Sequence, residues 1–192
     1  AGNPVESDSA SGSRGQNPLN IFFPCDLCVW REARRLITDR TVRIEDFATI
    51  AAQDPVIAIE LLRISNAMYF SGGRSPITTI KTAIVRLGDD VVLDSLEKMS
   101  QRKPIEDEEV SHWFEVFRSK CKRTSISSRI LAEALARNLS DDCQAAGLLT
   151  YVGEMLAVAH FREEYVNLAQ EHSPGGINYY LAHNFKFDVA QM

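Results

Sequence analysis

Four histidines, four cysteines, one glycine-rich turn and one basic cluster are the residues of this chain whose chemistry reaches beyond packing. His112, His160, His172 and His183 are followed by Trp113, Phe161, Ser173 and Asn184. None of them therefore opens a His-Asp pair, and none lies in H-E-x-x-H. They fall on separate helical stretches, where single hydrogen-bonded histidines are the plainer reading than a metal site. Cys25-Asp26-Leu27-Cys28 has the C-x-x-C spacing. A redox pair of that kind wants a strand before it, and a zinc site wants a second pair. Cys121 and Cys143 stand 22 residues apart and supply none, so two cysteines along a helix start is the simpler account. Ser71-Gly72-Gly73-Arg74 offers either backbone N–H groups to an anion or simply a turn, and the turn is favoured. Arg118, Lys120, Lys122, Arg123 and Arg129 follow the acidic run Glu106–Glu109. They suit phosphates or an acidic partner. Without interleaved aromatics beyond the core-like Trp113, Phe114 and Phe117, a solvated helix face is the expected role. No G-x-S-x-G and no G-x-x-x-x-G-K occurs, and no cofactor is implied.

The scaffold that would position such residues is ordinary in composition. The chain has 192 residues, 45% hydrophobic and 24% charged, with a formal charge of −5. That length suits one large domain or two small ones, with a sizeable core built without disulfides. The acidic balance disfavours a general nucleic-acid or anionic-membrane binder. No apolar run approaches the roughly 18–20 residues that span a bilayer, and no signal peptide is evident. Four cysteines in a chain this long imply a reducing, cytoplasmic setting.

Residues 1–17 have no hydrophobic period and read as a flexible tail or linker. From Pro24 onward the pattern is helical. Val29, Trp30, Ala33, Leu36 and Ile37 form one stripe. Ile44, Phe47, Ala48 and Ala51 form the next, with Glu45 and Asp46 in the first turn, where the helix dipole favours acids. Asp54-Pro55 is a helix start, Asp54 as cap and Pro55 at the first helical position. The helix it opens is apolar on nearly every side and is expected at the centre of the core. After the Ser71–Gly73 breaker, Ile80, Ala83, Ile84 and Leu87 share a face up to Gly88, and Asp89 is placed to cap the helix of Val92, Leu96 and Met99.

Residues 100–109 are polar around Pro104 and read as a linker. From Val110 to about Leu139 there is neither Gly nor Pro. Val110, Trp113, Phe114, Phe117 and Cys121 line a face that Ile130, Leu131, Ala134 and Leu135 are expected to continue, with a bend near Thr124–Ser128. Ser140-Asp141-Asp142 caps a helix whose apolar set runs from Ala145 through Val152 and Leu156 to Ala159, with Gly147 and Gly153 inside it. Phe161, Tyr165 and Leu168 suggest a short helix, Ser173–Gly176 a turn, and Ile177, Tyr180 and Leu181 a last helical piece. No segment alternates with period two over a strand length. The expected class is all-α, with a multi-helix bundle of two packed subdomains at 18–100 and 108–192.

Asp54-Pro55, Leu62–Phe70, and Ile77, Ile80, Ala83-Ile84 and Leu87-Gly88 together resemble the HDOD family, the HD-related output domains of bacterial signalling proteins. Ala67 stands where the family usually has a small Ser. Further on, Ala146–Gly153 resembles the G-L-L-H-D-I-G segment of HD-type phosphohydrolases, and Phe117-Arg118-Ser119 the W-x-H segment. The resemblance covers about residues 18–192. It implies that the His-Asp dyad, which in those hydrolases binds a divalent metal to activate water, is here Thr150-Tyr151, with Ser119 at the first-histidine position. A threonine hydroxyl is a poor metal ligand, and the tyrosine hydroxyl has a pKa near ~10. No metal is expected. The family also usually continues in helix past the segment resembling Phe187–Met192.

The expected function is a non-catalytic regulatory domain working through a protein partner. Arg63, Asn66, Tyr69, Arg74 and Arg86 are the candidate contact residues. Asn66 has a structural alternative, its amide closing the end of the buried helix. A divergent phosphohydrolase using His112, His160 or His183 with nearby acids is the runner-up. A nucleotide- or nucleic-acid-binding module built on the 118–129 basic helix is the third reading.

Overall fold

The structure is a computed structural model. It describes residues 23–39, 43–69 and 75–185, the side chains of Met68, Tyr69, Pro174, Gly175 and Phe185 excepted. The described residues form helices and no strand: α1 (Leu27–Thr38), α2 (Ile44–Ala51), α3 (Pro55–Tyr69), α4 (Ile80–Leu87), α5 (Asp89–Ser100), α6 (Glu108–Leu135), α7 (Ser140–Leu149), α8 (Val152–Phe161), α9 (Glu163–Glu171) and α10 (Pro174–Phe185). A 3-10 turn at Arg137–Leu139 links α6 to α7. The fold is all-α, and none of these helices is long and apolar enough to cross a membrane.

The starts and stops follow local chemistry. Asp26 caps α1 by accepting from the backbone N–H groups of Cys28 and Val29. Asp54 Oδ1 accepts from the Val56 N–H at 2.8 Å as α3 begins with Pro55. Asp107 caps α6 through the Val110 N–H at 2.9 Å. Gly88, at φ +72°, both ends α4 and precedes α5. Only a residue tolerant of positive φ can stand there. Asp89 is the first residue of α5 rather than its cap. At α7 the expected Ser140 cap is also absent: Ser140 is already helical, and no side chain caps the turn before it.

The helices pack in chain order. α1 lies on α2 and α5, α3 on α4 and α5, and α6 carries α7, α8 and α9, with α10 on α9. α3 touches α6 and α7 as well, so one hydrophobic cluster runs unbroken from Val29 and Phe47, through Ile57 and Leu61 of α3, to Phe117, Leu148 and Leu181. The all-round apolar α3 sits within it, with Val56, Ile57, Ala58, Leu61 and Leu62 all buried.

Three expectations for the second half are corrected. The apolar run from Ala145 to Ala159 is two helices, broken at Thr150-Tyr151. The apolar period continues across the corner and hides it. Ser173–Gly176 is not a free turn, because α10 starts at Pro174, whose missing N–H suits the first helical position. The third correction concerns α6, a helix of 28 residues. Ile130, Leu131, Ala134 and Leu135 do not continue its buried face; all four are exposed. The side of α6 that α7 covers is built instead from Ser125 and Ala132, both buried, and the half-buried Ser128. Small residues are used there because Gly147 of α7 comes in against the backbone. A Cβ on Gly147 would lie 2.8 Å from the Thr124 carbonyl oxygen and 3.0 Å from Ser125 Cα.

Candidate functional site

Three places collect the residues singled out by sequence. The first is the corner between α3 and α4. Asn66 stands in the last turn of α3 with its amide fully used. Nδ2 donates to the carbonyls of Leu62 and Ile77, each at 2.9 Å, and Oδ1 accepts from the Ile77 N–H at 2.8 Å. The side chain thus clasps the chain eleven residues later, which fits a structural role for this residue. Arg63 is exposed, and its guanidinium donates to Glu60 at 2.7 Å. Arg86, on α4, is also exposed. Tyr69 lies on α3 in backbone only, and Arg74 lies outside the described residues, as does the Ser71–Arg74 turn. The family-like segment at Phe187–Met192 is outside them too.

The second place is the corner between α7 and α8, where the two positions corresponding to the His-Asp dyad fall. Thr150 is exposed, and its hydroxyl donates back to the Ala146 carbonyl at 3.1 Å. That is the usual internal satisfaction of a helical threonine. Tyr151 is half-buried, with its ring stacked on Phe117 at 6.4 Å between centroids. Phe117 in turn meets Trp113 and Tyr165, at 6.1 and 6.2 Å. Lys120 lies over this cluster, Nζ at 4.9 Å from the Phe117 centroid and 5.6 Å from that of Tyr151. A cation over aromatic faces is attracted by their quadrupoles. Ser119 is exposed. Glu154, in the first turn of α8, faces Lys120 and Asn178, but burial still pushes its carboxyl above the ordinary glutamate range. Its Oε2 is buried without a hydrogen-bond partner. Among the described residues, no three His, Cys, Asp or Glu side chains converge as a set able to hold a metal ion.

The third place was not legible as a site. Asp54 is fully buried. Besides capping α3, its second carboxylate oxygen accepts from the Asp26 N–H, which ties the start of α1 to the start of α3. Opposite it lies Arg118, only 6% exposed. The guanidinium donates to the Pro24 carbonyl at 2.5 Å, pairs with Glu115 at 3.0 Å and sits over Phe114 at 5.1 Å. Burial raises the Asp54 carboxyl above the usual aspartate range, and the Arg118 charge and the two backbone N–H groups pull the other way. Nearby, Arg102 reaches Glu60 at 3.1 Å. Burial disfavours the Glu60 charge, but hydrogen bonds from Arg63 and Arg102 overcome it and lower its carboxyl.

This network corrects the reading of the basic cluster. Arg118 is interior, Lys120 covers aromatic rings, and Lys122 reaches Asp26 at 3.8 Å. Arg129 is held by Glu133 at 2.8 Å and Gln144 at 2.9 Å. Only Arg123 matches the expected solvated face. The C-x-x-C pair is similarly explained. Asp26 between the cysteines is the α1 cap, Cys28 is exposed, and burial, then the Asp54 charge, push the Cys25 thiol up to about 11. A thiol held protonated is a poor nucleophile. The sequence signal that could have exposed the network is the repeat of Asp at two helix starts, Asp26 and Asp54. Its long-range partner Arg118 has no such signal.

Comparison with known proteins agrees with this architecture. The model of the HDOD domain matches residues 24–189. No curated protein matches. Among solved structures, the MmoQ response regulator of Methylococcus capsulatus str. Bath superposes with a TM-score of 0.76 at 19% identity, over 90% of this chain and 68% of that one. A second structure of that regulator, a 20–298 fragment, gives 0.72 at 20% identity over 87% and 64%. A virulence factor of Campylobacter jejuni subsp. jejuni gives 0.67 at 17% identity, over 91% of this chain and 62% of that one. The chain thus spans about two thirds of the length of these proteins, and the likeness at such identities is one of fold. With the family model matching most of its length, the chain belongs to the HDOD family.

Proposed function

We propose that this HDOD domain is a non-catalytic regulatory module that acts through protein–protein contact. The observation that carries the reading is the state of the α7–α8 corner. Where the resemblance to HD phosphohydrolases puts the metal-binding dyad, the Thr150 hydroxyl is turned back on its own helix and the Tyr151 ring is packed on Phe117. Neither side chain is presented as a ligand, and the Lys120 ammonium lies over the Tyr151 ring. What remains to act is surface. Arg63 on α3 and Arg86 on α4 are exposed. The resemblance of this chain to a response regulator in fold is consistent with a module that relays a signal.

The test has two parts. Protein purified without chelator is analysed for bound metal and assayed for phosphodiesterase turnover with Mn²⁺, Fe²⁺ and Mg²⁺. Absence of stoichiometric metal and of turnover is expected; tightly bound metal together with turnover overturns the reading. In the cell, Arg63→Ala combined with Arg86→Ala should abolish the regulatory output while leaving helix content unchanged. An intact output would remove this surface from the function.

A further inference from the structure

Two clefts of this acidic chain collect cations, and only one of them balances the charge. On α1, Arg31, Arg34 and Arg35 line a hollow, but Arg34 is held by Glu97, Arg35 by Glu32, and Asp39 lies among them. The cleft between α3 and the end of α5 has no such balance. Glu60, Arg63, Lys98, Gln101, Arg102 and Lys103 line a space of about 680 Å³. Glu60 is largely buried, and its two oxygens orient two guanidiniums. Oε1 accepts from Arg63 at 2.7 Å, and Oε2 pairs with Arg102 at 3.1 Å. The Arg102 side chain is only 10% exposed and also donates to the Phe23 carbonyl at 3.3 Å. Arg63 spends one nitrogen on Glu60, and its others bond to no described residue. Lys98 pairs with Asp94 at 2.6 Å and stays exposed. Lys103 is exposed, with no ion-pair partner among the described residues. A helix C-terminus attracts cations, which accounts for Lys98 near the end of α5. It does not account for Arg63, brought in from α3, or for the burial of Arg102.

We infer that this cleft binds a small soluble ligand through a diphosphate group. Guanidinium forks match the oxygens of phosphate, and a carboxylate that holds two of them in place pre-organises them for it. Four cations stand against one carboxylate on the walls, and a concave site of one sign concentrates its field on a ligand. A peptide carries at most one carboxylate per side chain and spreads its charge along an extended chain, whereas two linked phosphates present several charges within one cleft. The volume falls within the roughly 300–1,000 Å³ of small-molecule sites. Among the described residues no aromatic ring lines the cleft, so the phosphates are gripped and an attached base is not stacked. Arg63 also belongs to the proposed protein-contacting surface, but this inference does not rest on that reading, because binding is measured on the chain alone.

Isothermal titration of the whole chain with inorganic pyrophosphate, without magnesium, tests it. Saturable binding of one pyrophosphate per chain is expected, with orthophosphate weaker by about tenfold or more. ADP and GDP should bind within about threefold of pyrophosphate and of each other, since no ring is available to read the base. Lys98→Glu combined with Lys103→Glu should weaken pyrophosphate by about tenfold or more while circular dichroism shows the same helix content. Arg34→Ala combined with Arg35→Ala, in the balanced hollow on α1, should leave it unchanged. Absence of saturable pyrophosphate binding overturns the inference. So does an equal loss in the α1 variant, which would mean attraction to any basic surface, or a hexaglutamate peptide that binds as tightly as pyrophosphate, which would make the cleft a dock for an acidic protein segment. Should the charge-reversed variant unfold, Arg63→Gln, at an exposed position, decides in its place: unweakened binding overturns the inference.

Discussion

The two ends of α6 are opposites. Up to Ser125 the helix is locked into the molecule. Phe114, Phe117 and Cys121 are buried, and a guanidinium is sunk beside a carboxylate from another helix. Beyond Ser125 it lies on the surface with its apolar side outward and its small residues inward. Both ends carry the same hydrophobic period. What differs is the neighbour. α8 and α9 bring large aromatic and aliphatic side chains to the first half, whereas α7 brings a glycine to the second. Apolar periodicity says that a face will be covered, but not whether this chain or another one covers it.

The sharpest way to break this contrast is at Arg118. Arg118→Met removes the cation facing the buried Asp54 carboxylate and leaves the Pro24 carbonyl without its donor. A loss of about 3–5 kcal/mol is expected, read as a fall in the urea midpoint. Gly147→Ala comes next. The added Cβ meets the Thr124 carbonyl and the Ser125 backbone, which cannot swing away, as well as Ser128 Oγ at 2.7 Å. A destabilisation of about 1–3 kcal/mol is expected, and it would show that the second half of α6 is held by close approach.

Glu154→Gln tests the polar edge of the first half through pH. The folded chain raises the carboxyl of Glu154 above its ordinary value of 4.5, so the fold favours the protonated form. The wild type should then lose stability as pH rises from 4.5 through the folded-state pKa, and urea titrations of the glutamine variant across that window should show a flatter profile. The smallest effect belongs to the exposed half. Leu135→Gln should change the unfolding free energy by no more than about 0.5 kcal/mol. A large loss there would mean that the face is covered within the chain and that the contrast between the halves is false.

Much of this molecule was legible in its sequence, because most of it follows local rules. Asp54-Pro55 announced α3, Gly88 announced a junction, and the 3.6-residue period located the core of α1, α2 and α4. What escaped was non-local. Arg118 looks like any helix cation until Pro24, 94 residues earlier, is placed against it. The break at Thr150-Tyr151 was invisible because two successive helices kept one apolar rhythm. The exposed face of α6 was misassigned because a buried side made of Ser125, Ser128 and Ala132 carries almost no hydrophobic signal. Of the candidate contact residues, Asn66 was the one whose role could be weighed in advance. An amide ending a buried helix has carbonyls within reach.

That clasp has a consequence for how this end of the domain opens. By gripping both the N–H and the carbonyl of Ile77, Asn66 ties the last turn of α3 to the backbone ahead of α4. The two helices cannot part at that end without one amide losing its hydrogen bonds together, so the end of α3 and the start of α4 should exchange their backbone hydrogens as a single unit.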